Sequence, residues 1–405
     1  MTTSTGQDAQ QTASGQIASA AAPSLIVLFL RFLRLGLTAF GGPAMVAYIR
    51  DMAVNKQGWL SQASFQQGVG ICQSIPGATA IQAAAYVGLR AGGAWGAIAA
   101  YVGFGMPAFV LMTVLSALYQ RSHDLAIVVS IFAGLQVIVV AMVAHAAYSF
   151  GRSIVHDWRD LGLGLAVAGF LFAGGNPLLA IGAAALLGLA LFGRTIEPQE
   201  HQRPAGKPLA MADLIPALLL IAALLAALAL LFVVDRDLFA LALMMVKVDC
   251  FAFGGGYASV PLMFNEVVSV KQWMDSQTFM DGIALGQATP GPIVITATFV
   301  GYLHAGLPGA LTATTAIFAP SLIMLTAAVP TFDRFQHKPL FQRAMHGALV
   351  SFTGLLLSVA LRFALAIPWE PWRIGLAALA LVALWRKVDL LWVVLAGTAI
   401  SAVLL

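Results

Sequence analysis

The sequence predicts an all-α polytopic membrane protein. It reads as two inverted-topology repeats of about six helices, joined by a connecting transmembrane helix, with broken or re-entrant helices at Pro/Gly motifs. Three observations predict this. Of 405 residues, 60% are hydrophobic and only 9% are charged, where a soluble chain carries roughly 25%. The stretches 212–234 and 389–405 are nearly charge-free and about as long as a bilayer is thick. The two halves of the chain also repeat one another. A β-barrel would instead show short strands of alternating polarity.

The elements follow in order. Residues 1–22 are rich in Gln, Ala, Ser and Thr without a basic n-region or apolar h-region, and are expected to be a disordered tail. The first repeat spans 23–192, with apolar segments at 24–49, 63–89, 92–118, 125–150, 161–173 and 177–192. A polar linker covers 193–211 and a connecting helix 212–236. The second repeat spans 237–405, with segments at 238–264, 277–303, 306–329, 341–366, 373–385 and 389–405. The pairs 161–173/177–192 and 373–385/389–405 are short for full spans and read as hairpins that cross only partly.

The duplication rests on rare residues. "AFGG" at 39–42 recurs at 252–255. Trp59, Phe65, Gly68, Gln73, Pro76 and Gly77 recur as Trp273, Phe279, Gly282, Gln287, Pro290 and Gly291. Apolar residues match by chance in such a chain, but Trp, Gln and Pro do not. One connecting helix flips the second half, which gives the inverted repeat of many secondary transporters. With the N-terminus in the cytoplasm, twelve loop Lys and Arg fall inside and five outside. That bias favours a cytoplasmic N-terminus and a periplasmic C-terminus.

Each half carries two Gly/Pro breaks: Gly41, Gly42 and Pro43, with Gly254, Gly255 and Gly256; then Gln73, Pro76 and Gly77, with Gln287, Thr289, Pro290, Gly291 and Pro292. Irregular backbone survives at membrane depth only where protein buries it or it lines a cavity. Helices restarting after a break present N–H groups and the positive end of a dipole, which suits an anion. The bland alternative is that small residues only kink and pack helices; four breaks in symmetric pairs weigh against it. Arg34 and Lys247 occupy matching intramembrane positions, where a cation costs about 2.5–3.5 kcal/mol or more without a purpose. Both are candidates to attract the anion, against snorkelling or structural pairing. Asp281, Glu266 and Asp249 are candidate proton-coupling acids; the first-half counterpart of Asp281 is Gln67. Glu266 and Asp281 could equally be solvated at the membrane surface.

Other chemistry is not signalled. Cys72 and Cys250 form no framework, His145 and His304 are isolated, and the chain has no Walker loop, HExxH or nucleophile elbow. No catalytic residue, metal site, cofactor or nucleic-acid partner is expected. A lipid-phosphate enzyme stays as an alternative class, lacking a convincing nucleophile.

"FGGP" at 40–43, "QGWLS" at 57–61, "QSIPGA" at 73–78, "FGGGYASVP" at 253–261, "DGIALGQATPGPIVITATFVGY" at 281–302 and "IFAPS" at 317–321 resemble the chromate ion transporter (CHR) family, of its two-domain, long-chain type. The resemblance implies an inner-membrane carrier that exports chromate, a tetrahedral dianion, and confers chromate resistance as a proton antiporter. It implies chromate as ligand and protons as coupling ion; sulfate, close to chromate in shape, is an expected competitor, the composition implies the bilayer as solvent, and a homodimer is one assembly the sequence leaves open. A sulfate or other oxyanion carrier, including one for uptake, is the nearer alternative. The chain departs from the family's first-half Pro-Gly-Pro pattern, with Ala78 at the second proline and Gln67 in place of an acid.

Overall fold

Apolar runs punctuated by Pro and Gly become short, interrupted helices. The computed structural model describes residues 23–39, 44–191, 211–335 and 338–404. The expected tail at 1–22, the linker at 193–210 and the break residues Gly41, Gly42 and Pro43 lie outside the described residues.

The first repeat contains α1 (Leu25–Thr38), α2 (Ala44–Arg50) with a π-helical turn (Asp51–Lys56), α3 (Gln62–Ser74), α4 (Thr79–Ser122), α5 (Ala126–Ile154), α6 (Trp158–Phe172) and α7 (Pro177–Leu191). Helix α8 (Met211–Val234) connects it to the second repeat. That repeat contains α9 (Arg236–Cys250), α10 (Gly256–Phe264) with a second π-helical turn (Asn265–Val270), and α11 (Ser276–Ala288). A 3₁₀ turn (Ile293–Ile295) then leads into α12 (Thr296–Phe335), followed by α13 (Pro339–Ala366), α14 (Pro371–Trp385) and α15 (Leu390–Leu404).

The segments read as 24–49, 63–89, 238–264 and 277–303 are therefore each two short helices meeting at a break. Helices α4 and α12 are hairpins. They reverse at Gly92–Gly93 and Ala305–Gly306, where Gly93 and Gly306 have φ of 65° and 60°. The limbs touch through glycine: a Cβ on Gly96 would lie 2.3 Å from the Gly88 carbonyl oxygen, and one on Gly309 2.0 Å from that of Gly301. Among the described residues five helices, α4, α5, α8, α12 and α13, are long and apolar enough to cross a membrane. Helices α6, α7, α14 and α15 have 15 residues each, about 22 Å, short of the ~30 Å hydrocarbon core. They pack as the two hairpins read from the sequence.

Packing between the repeats is reciprocal. Helix α13 lies against α5, α6 and α7, while α5 lies against α13, α14 and α15. Each repeat thus sheathes the central helix of the other, the self-complementary arrangement of a twofold interface. The backbone confirms the equivalence. Positive φ at Gly58, Gly77, Gly93 and Gly174 recurs at Gln272, Gly291, Gly306 and Lys387, at an offset of 213 or 214.

Gln272 and Lys387 hold left-handed angles of 54° and 59° where the first repeat has glycine. A side chain there costs about 1–2 kcal/mol. Lys387→Gly should therefore stabilise the detergent-solubilised protein by ~1 kcal/mol, and Gly174→Lys should destabilise it similarly. Thermal unfolding measures both; a lower melting temperature for Lys387→Gly would contradict the assignment.

Candidate functional site

The breaks meet where the repeats cross. Pro76 and Gly77 end α3 and open α4; Pro290, Gly291 and Pro292 do the same between α11 and α12. The Gly77 N–H donates to the Ala252 carbonyl at 2.9 Å, and the Gly291 N–H donates to the Ala39 carbonyl at 3.2 Å. Ala39 and Ala252 are equivalent residues at the other kind of break, so each Pro-Gly break is tied to the partner repeat's glycine break. A Cβ on Gly77 would lie 1.9 Å from Ser321 Oγ, and one on Gly291 would lie 2.7 Å from Ala108 Cβ. With φ of 109° and 121°, both positions require glycine.

A cavity of about 630 Å³ opens beside this crossing. Both repeats line it. The first supplies α2 and α3, with Arg50, Gln62, Gln66, Gly70 and Gln73, and the start of α4 at Ala78, Thr79 and Ala80. The second supplies Gly254, Gly255, Gly256 and Tyr257 at the start of α10, and Gln287, Thr289, Gly291, Pro292 and Ile293 from the Pro-Gly break. Helices α4 and α10 both begin without a side-chain cap, leaving their first-turn N–H groups to water or a ligand. Each start carries roughly half a positive charge. Gln287 Nε2 is buried with no hydrogen-bond partner among the described residues, an unmade bond that costs about 1–3 kcal/mol unless an acceptor arrives. Among the described lining residues Arg50 is the one charged group, and no carboxylate is present. Thr289 spends its hydroxyl proton on the Gly286 carbonyl at 2.8 Å, so it offers only an acceptor. The lining thus combines two uncapped helix starts, a buried amide and one guanidinium, with no negative charge among the described residues, a set that suits an anion.

Of the residues singled out in the sequence, the cavity gathers Gln73, Gly254, Gly255, Gly256, Gln287, Thr289, Gly291 and Pro292. Pro76, Gly77 and Pro290 are buried next to them in sequence but not in its lining. The intramembrane charges lie elsewhere. Arg34 is exposed. Lys247 is bonded to Glu266, Nζ to Oε1 at 2.6 Å, and the two border a separate small pocket with Pro177. Structural pairing of Lys247 is thus what forms, with Glu266 and not with Asp249 two residues on. Asp249 is fully buried and accepts from Ser321 Oγ at 2.7 Å, while its Oδ1 has no partner among the described residues. Asp281 is also buried. It accepts from Tyr119 Oη and Gln136 Nε2, both at 2.8 Å and both from the other repeat, so it is not solvated at the membrane surface.

Arg50, Gln62, Gln66 and Thr79 were not singled out from the sequence. Arg50 is one of the five loop charges counted outside. The signal was in the repeat alignment: the offset of 214 that relates the two π-helical turns pairs Arg50 with Phe264, so a charge stands where the twin is apolar.

The chain matches the Chromate transporter family over residues 26–189 and again over 239–402, one match per repeat. It is 40% identical over 383 residues to an uncharacterized transporter of Methanocaldococcus jannaschii, covering 95% of each chain. It is 31% identical over 391 residues to a chromate transport protein of Cupriavidus metallidurans, covering 94% of this chain and 92% of the relative. A probable chromate transport protein of Synechococcus elongatus is 31% identical over 337 residues, covering 82% of this chain and 83% of the relative. No solved structure matches the chain.

Two glycines test the cavity against the scaffold. Gly70 lines it and has nothing within 4 Å of a built Cβ. Gly70→Leu should leave the melting temperature equal or higher, since glycine within a helix costs about 1 kcal/mol, yet weaken binding of sulfate, used as a probe anion, at least tenfold. Gly77→Ala should lower stability by roughly 1–3 kcal/mol through overpacking. Thermal shift with and without sulfate reads both; undiminished sulfate binding by Gly70→Leu would remove the cavity as the anion site.

Proposed function

The chain belongs to the chromate transporter family, and on that premise we propose that it is a secondary carrier exporting chromate from the cytoplasm in exchange for protons. The observation that carries this reading is the cavity at the repeat crossing, with two uncapped helix starts, an unpartnered Gln287 amide and Arg50 converging where no carboxylate intrudes. Chromate is tetrahedral and doubly charged. Donors arriving from both repeats meet it on several sides, and Arg50 at the mouth supplies the net charge that the backbone lacks. A charge-assisted hydrogen bond of this kind contributes about 1.5–3 kcal/mol.

The coupling group in this reading is Asp281. Ionisable residues inside a membrane mark ion or proton paths. Asp281 sits on α11, whose C-terminal end reaches the cavity through Gln287. Glu266, already bonded to Lys247, and Asp249, held by Ser321, are weaker candidates. Orientation follows from the loop charges: an inner, plasma-membrane carrier of bacterial type with a cytoplasmic N-terminus and periplasmic C-terminus. Cells carrying it would resist chromate. Sulfate, of similar shape and charge, would compete, and a homodimer is the assembly we expect.

Everted membrane vesicles test this directly. Chromate accumulation should require an inside-acid proton gradient and should fall with added sulfate. Arg50→Gln should weaken apparent chromate affinity roughly tenfold or more while protein levels hold. Accumulation in right-side-out vesicles instead would reverse the direction to uptake. Sulfate transported with chromate excluded would give the alternative oxyanion carrier.

A further inference from the structure

The two repeats share one backbone plan but do not pack alike. Helices α2 and α3 in the first repeat and α10 and α11 in the second are equivalent arms. The second arm is docked. Helix α11 packs on α5, α13 and α15 as well as on α4 and α12. The equivalents of α5, α13 and α15 for the first arm would be α13, α5 and α7. Helix α3 instead packs chiefly on α4 and α12, and the cavity occupies the side it leaves open. Burial follows suit. Met280 and Asp281 are buried where their equivalents Gln66 and Gln67 are exposed, and Phe264 is buried where Arg50 is exposed.

Among the described side-chain hydrogen bonds, one carboxylate fastens the docked arm to the first repeat, while Gln277 Nε2 donates to the Ala366 carbonyl within the second. Asp281 on α11 accepts from Tyr119 on α4 and from Gln136 on α5. The equivalents of these three residues are Gln67, Phe332 and Leu349, which cannot make the same bonds. The fastening is therefore one-sided, while the backbone beneath it is twofold.

We propose that Tyr119 and Gln136 are positioning residues for transport: with Asp281 they latch the second arm shut, and the carrier cycles by exchanging a docked second arm for a docked first arm. Release of α11 from α5, α13 and α15 opens a second vestibule to the same crossing from the opposite side. Docking of α3 on α13, α5 and α7 closes the present one. The Gly77–Ala252 and Gly291–Ala39 bonds stay in place as the pivot. The latch responds to a single proton. Ionised Asp281 has two acceptor oxygens for two donors. One added proton removes the charge from both bonds: the Oδ2 side must turn donor to a Tyr119 hydroxyl that reverses and accepts, and the Gln136 bond becomes neutral, each about half as strong as its charge-assisted form. The titratable groups around it are Tyr119 and His123, stacked at 5.7 Å, on α4, and Asp275 at the N-cap of α11. The inference deepens the proposed proton exchange by naming the moving element that the proton controls.

Thiol accessibility in sealed vesicles of both orientations tests it, using the full chain with Cys72→Ser and Cys250→Ser. Gln66→Cys should react with an impermeant maleimide from one side only, and Met280→Cys should be protected from both. Adding Asp281→Asn, Tyr119→Phe or Gln136→Leu should reverse this, with Met280→Cys labelled from the opposite side at least threefold faster and Gln66→Cys slowed. If Met280→Cys stays protected and Gln66→Cys is unchanged in all three, while the protein remains monodisperse, the latch is wrong and the asymmetry is fixed. This readout does not involve chromate. A shift in labelling without chromate flux would keep the latch and sink the proposed substrate; flux without a shift would do the reverse.

Discussion

Two hydrogen bonds, Gly77 N–H to Ala252 O and Gly291 N–H to Ala39 O, are the constraint on which the rest of the structure depends. A membrane-embedded chain must satisfy its backbone internally, because each unmade bond in hydrocarbon costs several kcal/mol. A Pro-Gly break frees donors and acceptors that its own helix cannot reclaim. Here each repeat supplies the acceptor the other needs. Each break is therefore satisfied by the other repeat, with the two repeats crossed. The crossing also sets the packing: with the breaks tied across, the central helices α5 and α13 of each repeat lie in the hairpins of the other.

The same bonds divide labour within each break. The glycine amide is spent on the partner repeat and cannot serve a ligand. What remains are the first-turn N–H groups of the restarted helices, and those line the cavity at Ala78, Thr79 and Ala80 and at Gly255, Gly256 and Tyr257. The amides of Gly77 and Gly291 are therefore not free donors. Glycine is required there for a left-handed turn against Ser321 or Ala108, and the N–H groups left without a side-chain cap belong to the residues that restart a helix just after a break.

This explains what was legible in the sequence. The membrane class, the repeat, the breaks and the short hairpins all follow from patterns that repeat at a fixed offset or length, and backbone geometry obeys such patterns. Positive φ recurs even where glycine does not, at Gln272 and Lys387. The charges were harder to read, because a charge gains its meaning from what crosses it in space. Lys247 looked like an intramembrane cation awaiting a ligand, yet Glu266, nineteen residues on, meets it at 2.6 Å. Arg50 looked like a loop charge, yet the break brings its helix to the cavity mouth. Tyr119 and Gln136 gave no signal at all, since they act through a carboxylate more than a hundred residues away.

Where the repeats differ is informative for the same reason. Duplication alone would give a molecule with two equal arrangements and no preferred direction. Arg50 against Phe264 and Gln136 against Leu349 each place a polar group on one side only, and Asp281 against Gln67 places an ionisable one. Each difference adds a free energy to one arrangement and not to the other. A scaffold tied by twofold bonds supplies two states of nearly equal packing, and a few unpaired polar residues then decide which is occupied. A ligand or proton can shift such an equilibrium only through an interaction that differs between the states. In this chain those differing interactions are concentrated at the cavity that Arg50 lines and at Asp281, on opposite arms of one crossing.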